Sequence, residues 1–209
     1  MSRLRVALAK GRLFERSVER FRQAGAAPSD NGGRKLLIGS SDPSIEFLVV
    51  KPADVPVYVE SGAADLGITG TDVLRESGAD VLEPLELQFG FCRLVVATPA
   101  GAPYPALPGG VTARVATKYP RLAQAYFAGL GRPVDIVQVG GSVEVAPLLN
   151  LSHWIVDLVD TGNTLRAHGL VERATIMQCG AVLVANRASQ KLKLDAYLDL
   201  MERLERVTD

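Results

Sequence analysis

The most restrictive feature of this 209-residue sequence is an alternation: short apolar runs give way to helix-like segments, with small-residue turns at most junctions. Strands separated by helices make an α/β fold with a mainly parallel sheet, because parallel neighbours need a crossover connection. Residues 4–9 read as a strand and 13–24 as a helix closed by Gly25. Residues 36–40 and 45–50 are short apolar runs separated by Ser41-Asp42-Pro43, a turn signal. Pro52 to Pro56 opens a helix running to Glu60, with both prolines in its first turn, where they are tolerated. Residues 65–69 form a strand that meets Gly70-Thr71-Asp72 and a short helix, and 81–87 and 93–98 read as strands. Residues 99–110 hold four prolines and three glycines, so a long surface loop is expected. The alternation then restarts: strand 113–116, helix 121–130, strand 134–139, a short helix 142–149 and a strand at 155–159. Strands at 171–177 and 181–185 follow, then a helix from 190 to 207. Its apolar positions Tyr197, Leu200, Met201, Leu204 and Val207 recur every three or four residues.

Bulk properties narrow the function. Lys plus Arg and Asp plus Glu are both 23, so there is no basic excess of the kind a nucleic-acid binder carries; any anion site must be local. No apolar run reaches the length of a membrane span. The apolar stretch at the start is too short for a secretion signal and runs into Lys10. Cys92 and Cys179 stand far apart and outside any Cys-x-x-Cys or Cys/His cluster. They read as two buried free thiols in a cytoplasmic protein, with no structural zinc.

The densest chemistry lies in His153-Trp154-Ile155-Val156-Asp157-Leu158-Val159-Asp160-Thr161-Gly162-Asn163-Thr164-Leu165. Ile155, Val156, Leu158 and Val159 suit a strand buried on both faces. The turn after it supplies hydroxyls and the amides of a helix start, which can hold a phosphate. Asp157 and Asp160 repel phosphate but accept from hydroxyls, so a sugar phosphate fits both halves. The bland alternative is an ordinary strand–turn–helix with a capping Thr or Asp.

Around this segment the chain closely resembles the short form of ATP phosphoribosyltransferase. The resemblance rests on Ala9-Lys10-Gly11-Arg12-Leu13, Asp54-Val55-Pro56-Val57-Tyr58-Val59 and Gly62 through Asp72. It continues in Phe89-Gly90-Phe91-Cys92-Arg93-Leu94, Ala116-Thr117-Lys118-Tyr119-Pro120 and Gly141-Ser142-Val143-Glu144-Val145-Ala146-Pro147, and ends in Asp157 through Leu165. It implies two α/β lobes of the type II periplasmic-binding-protein kind with an active-site cleft between them. Residues 1–91 and 180–209 would form lobe one, and 92–179 lobe two, carrying the phosphoribosyl pyrophosphate loop. The chain ends after the amphipathic helix, so the histidine-binding domain of long-form members is expected to be missing. Short-form members work with a regulatory subunit similar to a histidyl-tRNA synthetase. A cytoplasmic hetero-oligomer with a homodimeric catalytic core is therefore expected.

The implied reaction joins N1 of the ATP adenine to C1 of phosphoribosyl pyrophosphate and releases pyrophosphate, the first step of histidine biosynthesis. Mg²⁺ bound mainly through substrate phosphates would serve it, with no metal cage built by the protein. By this resemblance Asp157 and Asp160 take the ribose hydroxyls and favour a cationic C1, although Asp160 is also placed to cap a helix. Thr161, Gly162, Asn163 and Thr164 take the 5′-phosphate. Glu144 approaches the ribose or Mg²⁺, or belongs to a capping box with Ser142. Lys10, Arg12, Arg34 and Lys51 are polyphosphate contacts, against the alternative of solvated basic turns. Lys51 stands where the family more often has Arg, exchanging a planar fork for a point charge. Gly70, Thr71 and Asp72 contact ATP, or Asp72 serves as an N-cap. Asn150 replaces a common Gly, and Asn tolerates positive φ.

Two rivals remain at this stage. Type I phosphoribosyltransferases also place acids before a Thr-Gly-x-Thr turn, but typically side by side. A two-lobe binding or sensor module without catalysis would share the fold, and fold alone does not assign function.

Overall fold

The computed structural model describes residues 3–29 and 36–207. The chain divides into two compact units: residues 1–90 with 180–209, and residues 91–179. The first division thus falls after Gly90, one residue ahead of the expected position.

The first unit contains β1 (Leu4–Ala9), α1 (Phe14–Gln23), β2 (Leu37–Gly39), β3 (Ile45–Val50), α2 (Val55–Glu60), β4 (Leu66–Gly70) and α3 (Thr71–Ser77). A 3₁₀ turn over Pro52–Asp54 leads into α2, so the two prolines straddle a change of helix type. β3, β1 and β4 are parallel neighbours, with Val6 opposite both Phe47 and Leu66. β1 is buried on both faces, which explains its unbroken apolar run. Leu4, Val6 and Leu8 pack on the side of Phe21, Phe47, Tyr197, Leu200 and Leu204. Ala7 and Ala9 face Val55, Val59 and Leu74. The α2 contact depends on Gly67, where a Cβ would lie 2.7 Å from Val55 Cγ1.

β5 (Leu82–Pro99) and β9 (Leu170–Ala185) each run from one unit into the other. Each was expected as two strands. Gly90 and Gly180 interrupt the apolar pattern at the division, yet each strand continues past it. Gly90 adopts φ 70°, and a Cβ there would meet Leu13 Cδ2 at 2.4 Å.

The second unit adds β6 (Ala113–Thr117), α4 (Pro120–Gly129), β7 (Val134–Gln138), β8 (Trp154–Val159) and α5 (Asn163–Ala167). β8 lies between β6, parallel to it, and β5, antiparallel. Trp154 and Val156 face Phe127 of α4. Ile155 and Val159 face Val143 and Leu165.

The sheets are more mixed than the alternation suggested, since β2–β3, β4–β9 and β5–β8 are antiparallel. The short helix expected over 142–149 is a single 3₁₀ turn, Val143–Val145, entered from Ser142 in the left-handed region. The helix expected over 190–207 is two, α6 (Arg187–Leu192) and α7 (Leu194–Arg206). Asn186 starts α6 early by accepting from the N–H groups of Ala188 and Ser189. At the break, Lys193 leaves helical geometry and its Nζ reaches Asp65 Oδ2 at 2.8 Å. Cys92 and Cys179 are buried and form no disulfide, and Asn150 takes φ 55° as its residue type allows.

Candidate active site

In the second unit the site is built at the carboxyl ends of parallel strands, where ligands of α/β folds bind. β6 and β8 pair with Thr117 opposite Val156. One step further along both strands sets Lys118 beside Asp157, and the ammonium lies 3.4 Å from Asp157 Oδ1. Side chains alternate along a strand, so Asp157 shares the face of Ile155 and Val159, over the 3₁₀ turn that carries Glu144. Its side chain is 18% exposed. Burial pushes the carboxyl above the ordinary range; Lys118 and the Leu158 N–H, 2.8 Å from Oδ1, pull it back, and Glu144 pushes it up again.

The turn beyond β8 is framed by two arginines. Arg93 Nη1 donates to the Asp160 carbonyl at 2.9 Å and also pairs with Glu172 through Nε and Nη2. Arg166 Nη2 donates to the Thr161 carbonyl at 3.2 Å and to Asn163 Oδ1. In a trans peptide the C=O and the following N–H point oppositely, so the amides of Thr161 and Gly162 face away from these arginines. Gly162 sits at φ 79°, where a Cβ would also approach Arg166 Nη1 to 3.2 Å. Gly162 itself caps α5 without a side-chain hydrogen bond, so Asp160 is not the cap. Ser142 likewise makes no side-chain cap, which removes the capping-box alternative for Glu144. Thr164 is exposed in the first turn of α5.

The structure therefore brings together Asp157 and Glu144 at one strand edge, with Asp160 and the 161–164 turn following directly from it. Sequence reasoning passed over three residues here: Lys118, Arg93 and Arg166. Lys118 was legible, since it stands directly after a strand in a quoted motif. The two arginines act on backbone carbonyls, which no residue pattern announces.

The basic candidates gather in the first unit. Lys10 follows β1 and Lys51 follows β3, in register, since Ala9 opposes Val50 and the Lys10 N–H donates to the Val50 carbonyl. β4 ends beside them, and its small-residue turn begins at Gly70. Both lysines are exposed. Arg12 Nη1 donates to the Gly90 carbonyl at 3.0 Å. Gly70, not Asp72, is the N-cap of α3; Asp72 lies in the first turn, buried. Its Oδ1 occupies the space a Cβ on Gly70 would need, 2.2 Å away. Thr71 Oγ1 accepts from the Gly180 N–H at 3.2 Å. Arg34 lies outside the described residues. Also among the described residues, no three His, Cys, Asp or Glu side chains form a metal-holding group.

Comparison with known proteins decides what this arrangement belongs to. The family model for ATP phosphoribosyltransferase (HisG) matches residues 51–206. The chain belongs to the ATP phosphoribosyltransferase family. It is 45% identical over 207 residues to the ATP phosphoribosyltransferase of Sorangium cellulosum, spanning 98% of this chain and 96% of that one. It is 48% identical to that of Azoarcus sp., over 97% and 96%. Among solved structures it superposes on the ATP phosphoribosyl transferase (HisG:HisZ) complex from Thermotoga maritima with a TM-score of 0.86. Identity there is 33%, over 97% of this chain and 96% of that one. The alkanesulfonate-binding protein SsuA from Xanthomonas axonopodis matches with a TM-score of 0.57 at 14% identity, over 98% and 72%. This likeness speaks to the fold alone. ATP phosphoribosyltransferase chemistry in this chain is thus carried on two α/β units of the type II periplasmic-binding-protein kind.

Proposed function

We propose that this chain transfers the 5-phosphoribosyl group of phosphoribosyl pyrophosphate to N1 of ATP in the cytoplasm, opening histidine biosynthesis. The observation that carries this reading is the turn after β8. A mostly buried carboxylate stands near the end of a buried strand, and the amides of the turn beyond are turned away from two carbonyl-binding arginines. The C1–oxygen bond to pyrophosphate breaks as the N1–C1 bond forms, so positive charge develops at C1. Asp157 and Asp160 accept from the ribose hydroxyls and stabilise that charge, while Thr161, Gly162, Asn163 and Thr164 take the 5′-phosphate. Lys10, Arg12, Arg34 and Lys51, with Gly70, Thr71 and Asp72, serve the ATP and the departing pyrophosphate. Such a site works by positioning and fixed electrostatics, without a covalent intermediate.

Asp157 is given to the ribose and no metal ligand is assigned to this chain, so Mg²⁺ would be held mainly through substrate phosphates and would supply charge neutralisation to the leaving group. The Thermotoga maritima HisG:HisZ complex supports a hetero-oligomer with a partner of the HisZ kind; that the partner is regulatory and resembles a histidyl-tRNA synthetase, and that this chain forms a homodimeric core, belong to the same proposal. The test is turnover of ATP and phosphoribosyl pyrophosphate with Mg²⁺, followed by the ultraviolet absorbance of the product, with the chain alone and with the partner. Product in either case, abolished by Asp157→Ala or Thr164→Ala, is the expected result. Absence of product in both, with the chain folded and the partner bound, overturns the reading.

A further inference from the structure

Lys118 approaches the carboxylate at the end of β8, although it lies thirty-nine positions earlier in the chain (157 − 118). The parallel register of β6 and β8 delivers it there, and its ammonium also stands 5.7 Å from the Tyr119 ring centroid. We propose that Lys118 is a positioning residue of this site: its ammonium holds the Asp157 carboxylate in place and anionic, ready to accept the ribose hydroxyls. The proposal rests on the transferase reading above for its consequence, but not for the ion pair itself.

The surroundings of Asp157 make such a cation necessary. From the 3₁₀ turn, Glu144 contributes a like charge. From β5, the residue opposite is Val95, apolar and buried. Arg93, two residues earlier on β5, has its guanidinium engaged by Glu172 and the Asp160 carbonyl. From α5, Arg166 is engaged by Thr161 and Asn163. The next acid in the chain, Asp160, lies just beyond the end of β8. α4 packs on the opposite face of the sheet, with Ala123 and Phe127. Among the described residues, the neighbouring elements thus offer Asp157 a like charge from Glu144 and the Lys118 ammonium at bonding range. A carboxylate in apolar surroundings beside a like charge is harder to ionise, and a cation at bonding range opposes that. A protonated Asp157 would offer a donor where an acceptor is wanted and would withdraw its charge from C1.

Two variants and two readouts test this. Lys118→Met removes the charge and keeps most of the stem; Lys118→Arg restores a cation. Lys118 is 40% exposed on its side chain, so both are expected to fold. The first readout is the titration of the Asp157 carboxyl carbon by NMR, assigned with Asp157→Asn, which needs no substrate. Lys118→Met is expected to move that titration about one pH unit upward, a tenfold change in the ionisation equilibrium, and Lys118→Arg to restore it. An unmoved titration overturns the proposal. The second readout is the pH profile of kcat/KM for phosphoribosyl pyrophosphate. The acidic limb is expected to move upward in Lys118→Met in step with the carboxyl titration. A loss equal at every pH would make Lys118 a direct substrate contact and overturn the positioning role. A wild-type chain without turnover would defeat the transferase reading, while the carboxyl titration would still decide the ion pair.

Discussion

Gly162 shows how narrow the tolerances are at single positions. Its φ of 79° penalises any side chain, and a Cβ would also press on Arg166 Nη1. Gly162→Ala is expected to cost about 1–2 kcal/mol for the left-handed backbone. It should also raise KM for phosphoribosyl pyrophosphate roughly tenfold or more with a smaller change in kcat, read by thermal melts and steady-state kinetics. Asp157 carries the opposite trade. Its carboxyl is raised by burial, so the folded chain holds that proton to higher pH than the unfolded chain does. Stability therefore falls as pH rises from the ordinary carboxylate range through the raised value, and stays lower at neutral pH. Asp157→Asn should melt later than wild type at pH 7, by ~2 °C, with the difference closing in acid and turnover lost. A variant that melts earlier at pH 7 would mean that the pairing with Lys118 outweighs the burial.

At the scale of elements, β5 and β9 do more than link the units. Each presents one partner of the Arg93–Glu172 pair, and Arg93 passes that anchorage on to the Asp160 carbonyl. Arg93 holds the Glu172 carboxyl below its usual range, so the pair stabilises the fold above that range and the gain is lost as pH falls through the lowered value. With both side chains about 30% exposed, solvent screening keeps the contribution small. Glu172→Gln should flatten the acid side of the melting curve and leave neutral stability little changed. Arg93→Met should also loosen the turn, raising KM for phosphoribosyl pyrophosphate; an unchanged KM would show that the Asp160 carbonyl needs no tether. The strands that build this arrangement were largely legible: β1, β3, β6 and β8 follow from apolar runs bounded by turn residues. The continuity of β5 and β9 was not, because Gly90 and Gly180 interrupt the pattern that pairing then overrides. The acids and the 161–164 turn were legible because they are contiguous in sequence. Lys118 could have been singled out from its place after a strand, but its partner could not, since register brings it to Asp157; the arginines, which act on backbone carbonyls, left no signal.

For the molecule as a whole, the two continuous strands predict shared cooperativity. Leu200 is buried in the first unit, and Trp154, the single tryptophan, is buried in the second. Leu200→Ala should cost about 2–5 kcal/mol. Losing the first unit unpairs the halves of β5 and β9 that belong to it. Trp154 fluorescence should then report the same lowered midpoint as backbone circular dichroism, as a two-state transition requires. A tryptophan transition left at the wild-type midpoint would show two independently melting units.

The discontinuity of the first unit also sets a timetable for the chain's birth. β4 pairs with residues 181–185 of β9, and the apolar face over β1 is closed by Tyr197, Leu200 and Leu204 of α7. The ribosome must therefore add the whole of the second unit before the first receives its last strand and covering helix. At ~5–20 residues per second, that is a wait on the order of 5–20 s with one sheet edge bare and a greasy face open to water. The nascent chain is most in need of a holding chaperone in that interval, when residues 1–90 are made and its closing segment is still unwritten.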